Sequence, residues 1–320
     1  MNNYLSIRMR FVASIALISA LFAMFLSISV ASAHYMPKPH TWHALVGVET
    51  KNHATQGMAF LPQTLWINTG DTVVWTAKSA DIHTVTFLKP GQTLPPFDPN
   101  DPMDVLPQGS HVYDGKSYYN SGLVADFPGL PGGNGYSLSF GVVGDFVYYC
   151  LVHPSMIAVI HVRPAGTSYP FSQHDYDHQI THQTKAIFAD GRKLADIAED
   201  KSNNRNVTFG IGDGLASVMR IFPQRIVIHV NDTITFTNRD VMEPHVVSYG
   251  VFPPNFNDFV PAGNPKHFDG SSILNSGFIG ASPAWFGTSY QVTFVKAGTY
   301  AFRCDIHDQM GMVATIVVRS

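Results

Sequence analysis

Phe146-Val-Tyr-Tyr-Cys150-Leu-Val-His153-Pro-Ser-Met156-Ile-Ala-Val-Ile160 is the stretch that decides the reading of this chain. A run of aromatic and β-branched residues leads into a cysteine, a short loop carries a histidine and a methionine, and a second β-branched run leaves. The same order returns as Thr299-Tyr-Ala-Phe-Arg-Cys304-Asp-Ile-His307-Asp-Gln-Met310-Gly-Met312-Val-Ala-Thr-Ile316. These hold the only two cysteines of the chain, each with a histidine three residues later.

Outward from these stretches the chain keeps repeating itself. Phe60-Leu-Pro-Gln63 before Asp71-Thr72 recurs as Ile221-Phe-Pro-Gln224 before Asp232-Thr233, with a Pro-to-Asp interval of nine in both. Asp114-Gly115 and Asn120-Ser-Gly122 recur as Asp269-Gly270 and Asn275-Ser-Gly277. Asn120 stands 30 residues before Cys150, and Asn275 29 before Cys304. Shared order and spacing of this kind marks a tandem duplication. The expected organisation is a signal segment over 1–33, a first domain over 34–167, a connector over 168–205 and a second domain over 206–320. The connector is polar, contains His174, His178 and His182, and is expected to hold one or two helical turns within Lys185–Glu199, interrupted by Gly191.

Composition agrees with short strands and many turns. Of 320 residues 45% are apolar and only 13% charged, with 26 glycines and 21 prolines. Segments such as Leu65–Ile67, Thr72–Thr76, Thr84–Phe87, Ile226–Val230, Thr233–Thr237, Tyr290–Val295 and Thr315–Val318 read as strands, and no signal for a long amphipathic helix stands out. The fold class is therefore all-β, with one sandwich per copy. Twenty basic against 23 acidic residues give a net charge of −3, which excludes nucleic acid as an electrostatic partner.

Arg8 and Arg10, an apolar run from Phe11 to Val30, and Ala31-Ser32-Ala33 read as an export signal with its cleavage site. Removal of both arginines would leave a net charge of −5. The expected location is periplasmic, cell-surface or extracellular; membrane association follows only if the segment stays uncleaved, since it is long enough to span a bilayer.

Each copy also carries an upstream histidine opening a strand, His83 in Asp81-Ile-His-Thr-Val-Thr-Phe87 and His245 in Glu243-Pro-His-Val-Val247. Thiolate, two imidazoles and a thioether form a soft, mixed donor set. Thiolate selects Cu(I) or zinc, imidazole suits copper in either oxidation state, and a weak thioether marks electron-transfer copper. The expected ligands are His83, Cys150, His153 and Met156 in the first copy, and His245, Cys304, His307 and Met312 in the second. Met310 has the short-loop spacing, but aligning Met156-Ile-Ala-Val-Ile160 with Met312-Val-Ala-Thr-Ile316 favours Met312.

Both copies resemble the cupredoxin, or blue type 1 copper, family. Cys150-Leu-Val-His153-Pro-Ser-Met156 is similar to the short ligand loop of amicyanin, and Cys304-x-x-His307-x-x-x-Gly311-Met312 to the longer loop of plastocyanin. Val152 and Ile306 depart from the pattern, which often places proline before the loop histidine. The resemblance implies two Greek-key sandwiches, one type 1 copper per domain, and one-electron exchange with a donor and an acceptor protein. It further implies that His153 and His307 lie at the surface as electron doorways; Tyr118, Tyr119, Tyr148 and Tyr149 read either as a second route or as packing and rim of the sandwich. An electron carrier is favoured over a substrate-turning enzyme. Copper nitrite reductases and multicopper oxidases place a histidine beside the type 1 cysteine, whereas the neighbours here are Tyr149 and Leu151, then Arg303 and Asp305. Copper binding or delivery is the alternative, and surface-facing methionine and histidine would favour it. An additional copper site at His34, with His40, His43 or His53, stays open, as does a remnant inter-domain site at His111 and His267. Arg303 and Glu243 read as solvated loop charges or tuning groups.

Overall fold

The computed structural model describes residues 38–251, 259–282 and 285–320. The segment 1–33 and His34 lie outside the described residues. The strands follow from alternation: in Thr72–Lys78 the side chains of Val73, Trp75 and Ala77 are buried, and in Ile157–Arg163 those of Ala158, Ile160 and Val162. A period of two puts one face of each strand into a core.

Each copy builds a six-stranded sheet of matching order. In the first the order is Thr64–Asn68, Ile157–Arg163, Gly144–Tyr149, Thr86–Phe87, Tyr119–Ser121 and Pro107–Gln108. In the second it is Arg225–His229, Val313–Arg319, Gly298–Cys304, His245–Tyr249, Leu274–Ile279 and Pro261–Ala262. In both, the strand leading to the cysteine lies between the strand leaving the ligand loop and the strand following the upstream histidine. This adjacency joins residues that are far apart in sequence.

The opposing sheets of the two sandwiches are one. Nine strands run in the spatial order Ser289–Thr293, Thr233–Asp240, Asn206–Gly212, Ala216–Phe222, Thr55–Leu61, Thr41–Glu49, Thr72–Lys78, Gly135–Phe140 and Val112–Tyr113. The copies join where Thr55–Leu61 pairs antiparallel with Ala216–Phe222: Gln56 opposes Ser217, flanked by Thr55 with Val218 and Gly57 with Ala216. The Met58 N–H donates to the Leu215 carbonyl and the Met219 N–H to that of Ala54, both at 2.8 Å. Duplicated segments thus meet each other reciprocally, as the two faces of a two-fold interface do.

Trp75, Phe87, Phe140 and Tyr148 fill the first core around Cys150 and Met156; Phe236, Phe268, Phe294 and Phe302 fill the second around Cys304 and Met312. Burying one phenylalanine-sized side chain stabilises by about 1.5–3 kcal/mol.

The connector differs from its expectation. Gln173–Asp200 is a helix of 28 residues, opened by a capping box in which Ser172 and Asp175 satisfy each other's backbone N–H. Ile187 packs on Val48, Ala59 and Leu61 of the first copy and on Ala216 of the second, so the helix straddles the seam. Gly191 does not interrupt it: a Cβ there would strike the Thr55 side chain, so glycine lets the helix sit close to the sheet. Tyr176 is buried, and its hydroxyl accepts from the Trp66 N–H at 2.8 Å. His174, His178 and His182 are exposed, with the last two rings 4.5 Å apart.

Candidate metal centres

The upstream histidines are held by backbone and by the repeated Asn-Ser-Gly turn. His83 exchanges N–H···O bonds with Val124, both 2.9 Å. Two residues beyond each histidine, the Val85 N–H donates to Ser121 Oγ at 2.8 Å and the Val247 N–H to Ser276 Oγ at 2.9 Å. Asn120 and Asn275 shape these turns by accepting from the N–H of Gly122 (3.0 Å) and Gly277 (2.7 Å). The motif that exposed the duplication therefore positions the histidine strand.

Glycine makes the space for the histidine rings. Gly47 and Gly210 sit at irregularities of register in the paired strands Thr41–Glu49 and Asn206–Gly212, at φ +67° and +83°. A Cβ at either would collide with the ring of His83 or His245, respectively. Both are functional positions that the sequence reading missed. Their signal was the recurrence of Val46-Gly47-Val48 as Phe209-Gly210-Ile211 in equivalent strands.

The donor atoms converge. In the first centre His83 Nδ1 and His153 Nδ1 are 3.0 Å apart, and Cys150 Sγ is 3.7 Å from His153 Nδ1. In the second, His245 Nδ1 and His307 Nδ1 are 3.1 Å apart, with Cys304 Sγ 3.8 and 3.6 Å from them. All six residues are buried and both cysteines are free, so no Cys150–Cys304 disulfide forms. The Thr84 and Val246 N–H groups each donate to their cysteine sulfur at 3.3 Å.

Met156 and Met312 occupy the same place in their copies. The Cys150 N–H donates to the Met156 carbonyl at 3.0 Å and the Cys304 N–H to that of Met312 at 3.1 Å. Met310 instead packs with Met58 and Met219 at the seam.

The residues fit copper. Two imidazoles that turn the same nitrogen toward one thiol, in a dry pocket beside a thioether, form a donor set that a soft cation satisfies and two neutral rings facing each other do not. Both clusters are geometrically consistent with type 1 copper sites.

Electrostatics separate the two. Burial alone would raise the Cys150 thiol, but His153 and His83 beside it bring it down to about 5. Burial disfavours protonation of His153, yet Glu243 and Asp81 carry it well above its ordinary value. Burial pushes the Cys304 thiol up to about 12, and holds His307 down at about 4 and His245 well below the usual histidine range.

Two expectations are corrected here. His153 and His307 are not surface doorways: they are 1% and 4% exposed, because the loops of the two copies face each other across the seam. Glu243 is not a solvated charge: it is 3% exposed, with Oε1 2.5 Å from His153 Nε2 and Oε2 3.7 Å from His307 Nε2. Arg303 does stay half-buried, paired with Asp305 at 2.6 Å. His40, His43, His53, His111 and His267 are all exposed. Tyr148 and Tyr119 are buried in the first core, while Tyr118 and Tyr149 are partly exposed.

Residues 207–319 match the model of a family described as copper binding proteins, plastocyanin/azurin family. Among solved structures, a Met-to-Ala mutant of amicyanin in its Cu(I) form is 21% identical, covering 36% of this chain and 81% of its own, with a TM-score of 0.24. Plastocyanin from Dryopteris crassirhizoma in its oxidised form is 16% identical, covering 36% and 99%, with a TM-score of 0.25. No curated protein matches the chain. The fold is cupredoxin-like, with two β-sandwich regions.

Proposed function

We propose that this is an exported type 1 copper protein that carries single electrons between redox partners, with one centre in each domain. The observation that carries the proposal is the pair of buried His-Cys-His clusters, His83/Cys150/His153 and His245/Cys304/His307, built by matching strands and each backed by a buried methionine. Copper bound there would supply the one-electron couple. The chain's part is to hold two imidazole nitrogens, the cysteine sulfur and, from Met156 or Met312, a thioether in a fixed arrangement that excludes water. Backbone N–H groups on the sulfurs and the apolar surround would tune the potential.

Export rests on the N-terminal sequence alone. Among the described residues no helix is long and apolar enough to cross a membrane. Methionine does not favour the copper-delivery alternative, since Met103 alone among the described methionines is exposed, whereas exposed histidines such as His178 and His182 do. With His153 and His307 buried, external partners would dock away from the ligand loops, and Tyr149, adjacent to Cys150 in the chain, is a partly exposed aromatic of the first domain.

The test is the visible spectrum and copper content of the mature protein, of Cys150→Ser and of Cys304→Ser. Two coppers per chain with an intense blue band, halved in each variant, is the expected result. A copper-loaded wild type with no blue band would overturn the assignment.

A further inference from the structure

Asp81 and Glu243 stand two residues before His83 and His245, at equivalent places in the two copies. Both are buried at the seam, and of the two only Glu243 has carboxyl oxygens within 4 Å of both loop histidines. Glu243 Oε1 lies 2.5 Å from His153 Nε2 and its Oε2 lies 3.7 Å from His307 Nε2, while Asp81 Oδ2 is 3.9 Å from His153 Nε2. Glu243 is fixed from behind: its N–H donates to Asp240 Oδ1 at 2.9 Å and its carbonyl accepts from Asn238 Nδ2 at 2.8 Å. Each loop histidine thus turns Nδ1 to its own centre and Nε2 to a shared carboxylate.

Charge gives this arrangement a consequence. A divalent copper with one thiolate and neutral ligands leaves one positive charge in an oxidised centre and none in a reduced one. Two oxidised centres therefore place two positive charges beside the buried acidic groups of Asp81 and Glu243. In a dry environment an ionised group so placed favours the oxidised form, and at 2.5 Å Glu243 stands against the far nitrogen of a ligand imidazole.

We propose that Glu243 joins the two centres into one redox unit, its carboxylate lowering the potential of both and linking His153 to His307 as a route for exchange of one electron between them. The exchange is balanced in itself: one centre is oxidised by one electron, the other is reduced by it, and nothing else is consumed. This rests on the type 1 reading of both sites.

The experiment is a spectroelectrochemical titration of the copper-loaded mature chain, with Glu243→Gln, Cys150→Ser and Cys304→Ser as variants. Glu243→Gln is expected to retain both blue bands and to raise both potentials. At a fixed ambient potential the reduced-to-oxidised ratio should grow about tenfold, about 59 mV for a one-electron couple, with the larger change at the centre containing His153. The wild type is expected to titrate in two steps spread further apart than the potentials of the two single-centre variants, and this measurement does not depend on Glu243→Gln folding. A shift confined to one centre, no shift at all, or wild-type steps matching the single-centre potentials would each overturn the proposal. So would a third equivalent of metal that Glu243→Gln removes, since Glu243 would then be a ligand. A wild type without any blue band overturns the type 1 reading first and this inference with it.

Discussion

The first centre places Cys150 3.7 Å from a histidine whose far nitrogen has Glu243 at 2.5 Å; the second places Cys304 3.6 Å from a histidine whose far nitrogen is 3.7 Å from the same carboxylate. The ligands, the strands that present them and the backbone donors on sulfur match. Ionisation does not. Glu243 and Asp81 favour protonation of His153, and His153 with His83 brings the Cys150 thiol down to about 5, while burial and the neighbouring Asp81 raise the Glu243 carboxyl to about 8. At the second centre burial outweighs what Asp81 and Asp308 lend His307 and holds it down at about 4, and burial pushes the Cys304 thiol up to about 12. Two sites of one duplication have diverged through a residue outside the ligand set, contributed by one domain mainly to the other.

The strongest way to break the equivalence is through the glycines that admit the histidine rings. Gly47→Ala is expected to displace His83 and Gly210→Ala to displace His245, since the new Cβ meets the ring and φ is positive at both positions. The backbone alone costs an alanine about 1–2 kcal/mol there. Each variant should lose most of the blue absorption and copper of its own domain and leave the other intact, as read by spectrum and copper content in Gly47→Ala, Gly210→Ala and each combined with the opposite cysteine variant. Loss of both centres in either variant would show that the seam transmits the damage.

Ionisation is tested next, without metal. Ultraviolet thiolate absorbance of the metal-free protein at neutral pH should persist in Cys304→Ser and vanish in Cys150→Ser. On acidification the remaining signal should fall through about pH 5, the value to which the Cys150 thiol is lowered, as the thiolate gains its proton. Equal absorbance from both cysteines would erase the contrast between the centres.

Much of the site was legible in the sequence because its information is local. Cysteine, histidine and methionine sit within one loop, and duplication turned each copy into a control on the other, which also separated Met312 from Met310. The turn around Asn120 and Asn275 was visible as a motif before its work on the histidine strand was. What escaped depends on packing between distant parts. Glu243 in a charged, proline-containing loop looks solvated until the seam closes over it. His153 and His307 look exposed when each sandwich is considered alone. The helix Gln173–Asp200 was underestimated because Gly191 and the Tyr176–Thr181 region are unfavourable by propensity; close approach to Thr55 and the bond to Trp66 outweigh that preference.

The smallest expected effect compares two aspartates that the duplication made equivalent. Asp71 is buried and accepts from the His40 N–H (2.7 Å), the Trp42 indole N–H (3.0 Å), the Asn68 N–H (2.9 Å) and the Tyr169 hydroxyl (2.8 Å). It ties the start of the first domain, the turn before its strand Thr72–Lys78 and the segment entering the long helix to one point. Asp232 accepts from the His229 N–H at 2.9 Å and pairs at 2.5 Å with Arg205, whose side chain is 66% exposed. Removing Asp71 strands several donors, two of them in the core, at about 1–3 kcal/mol for each that stays unsatisfied. Removing Asp232 gives up one turn bond and a solvent-screened ion pair, together about 1 kcal/mol. Urea unfolding of the metal-free protein should therefore place the midpoint of Asp71→Ala well below that of Asp232→Ala. If the order reverses, the second domain depends on its turn more than the first does, and the difference between the halves extends beyond their metal centres into the scaffold.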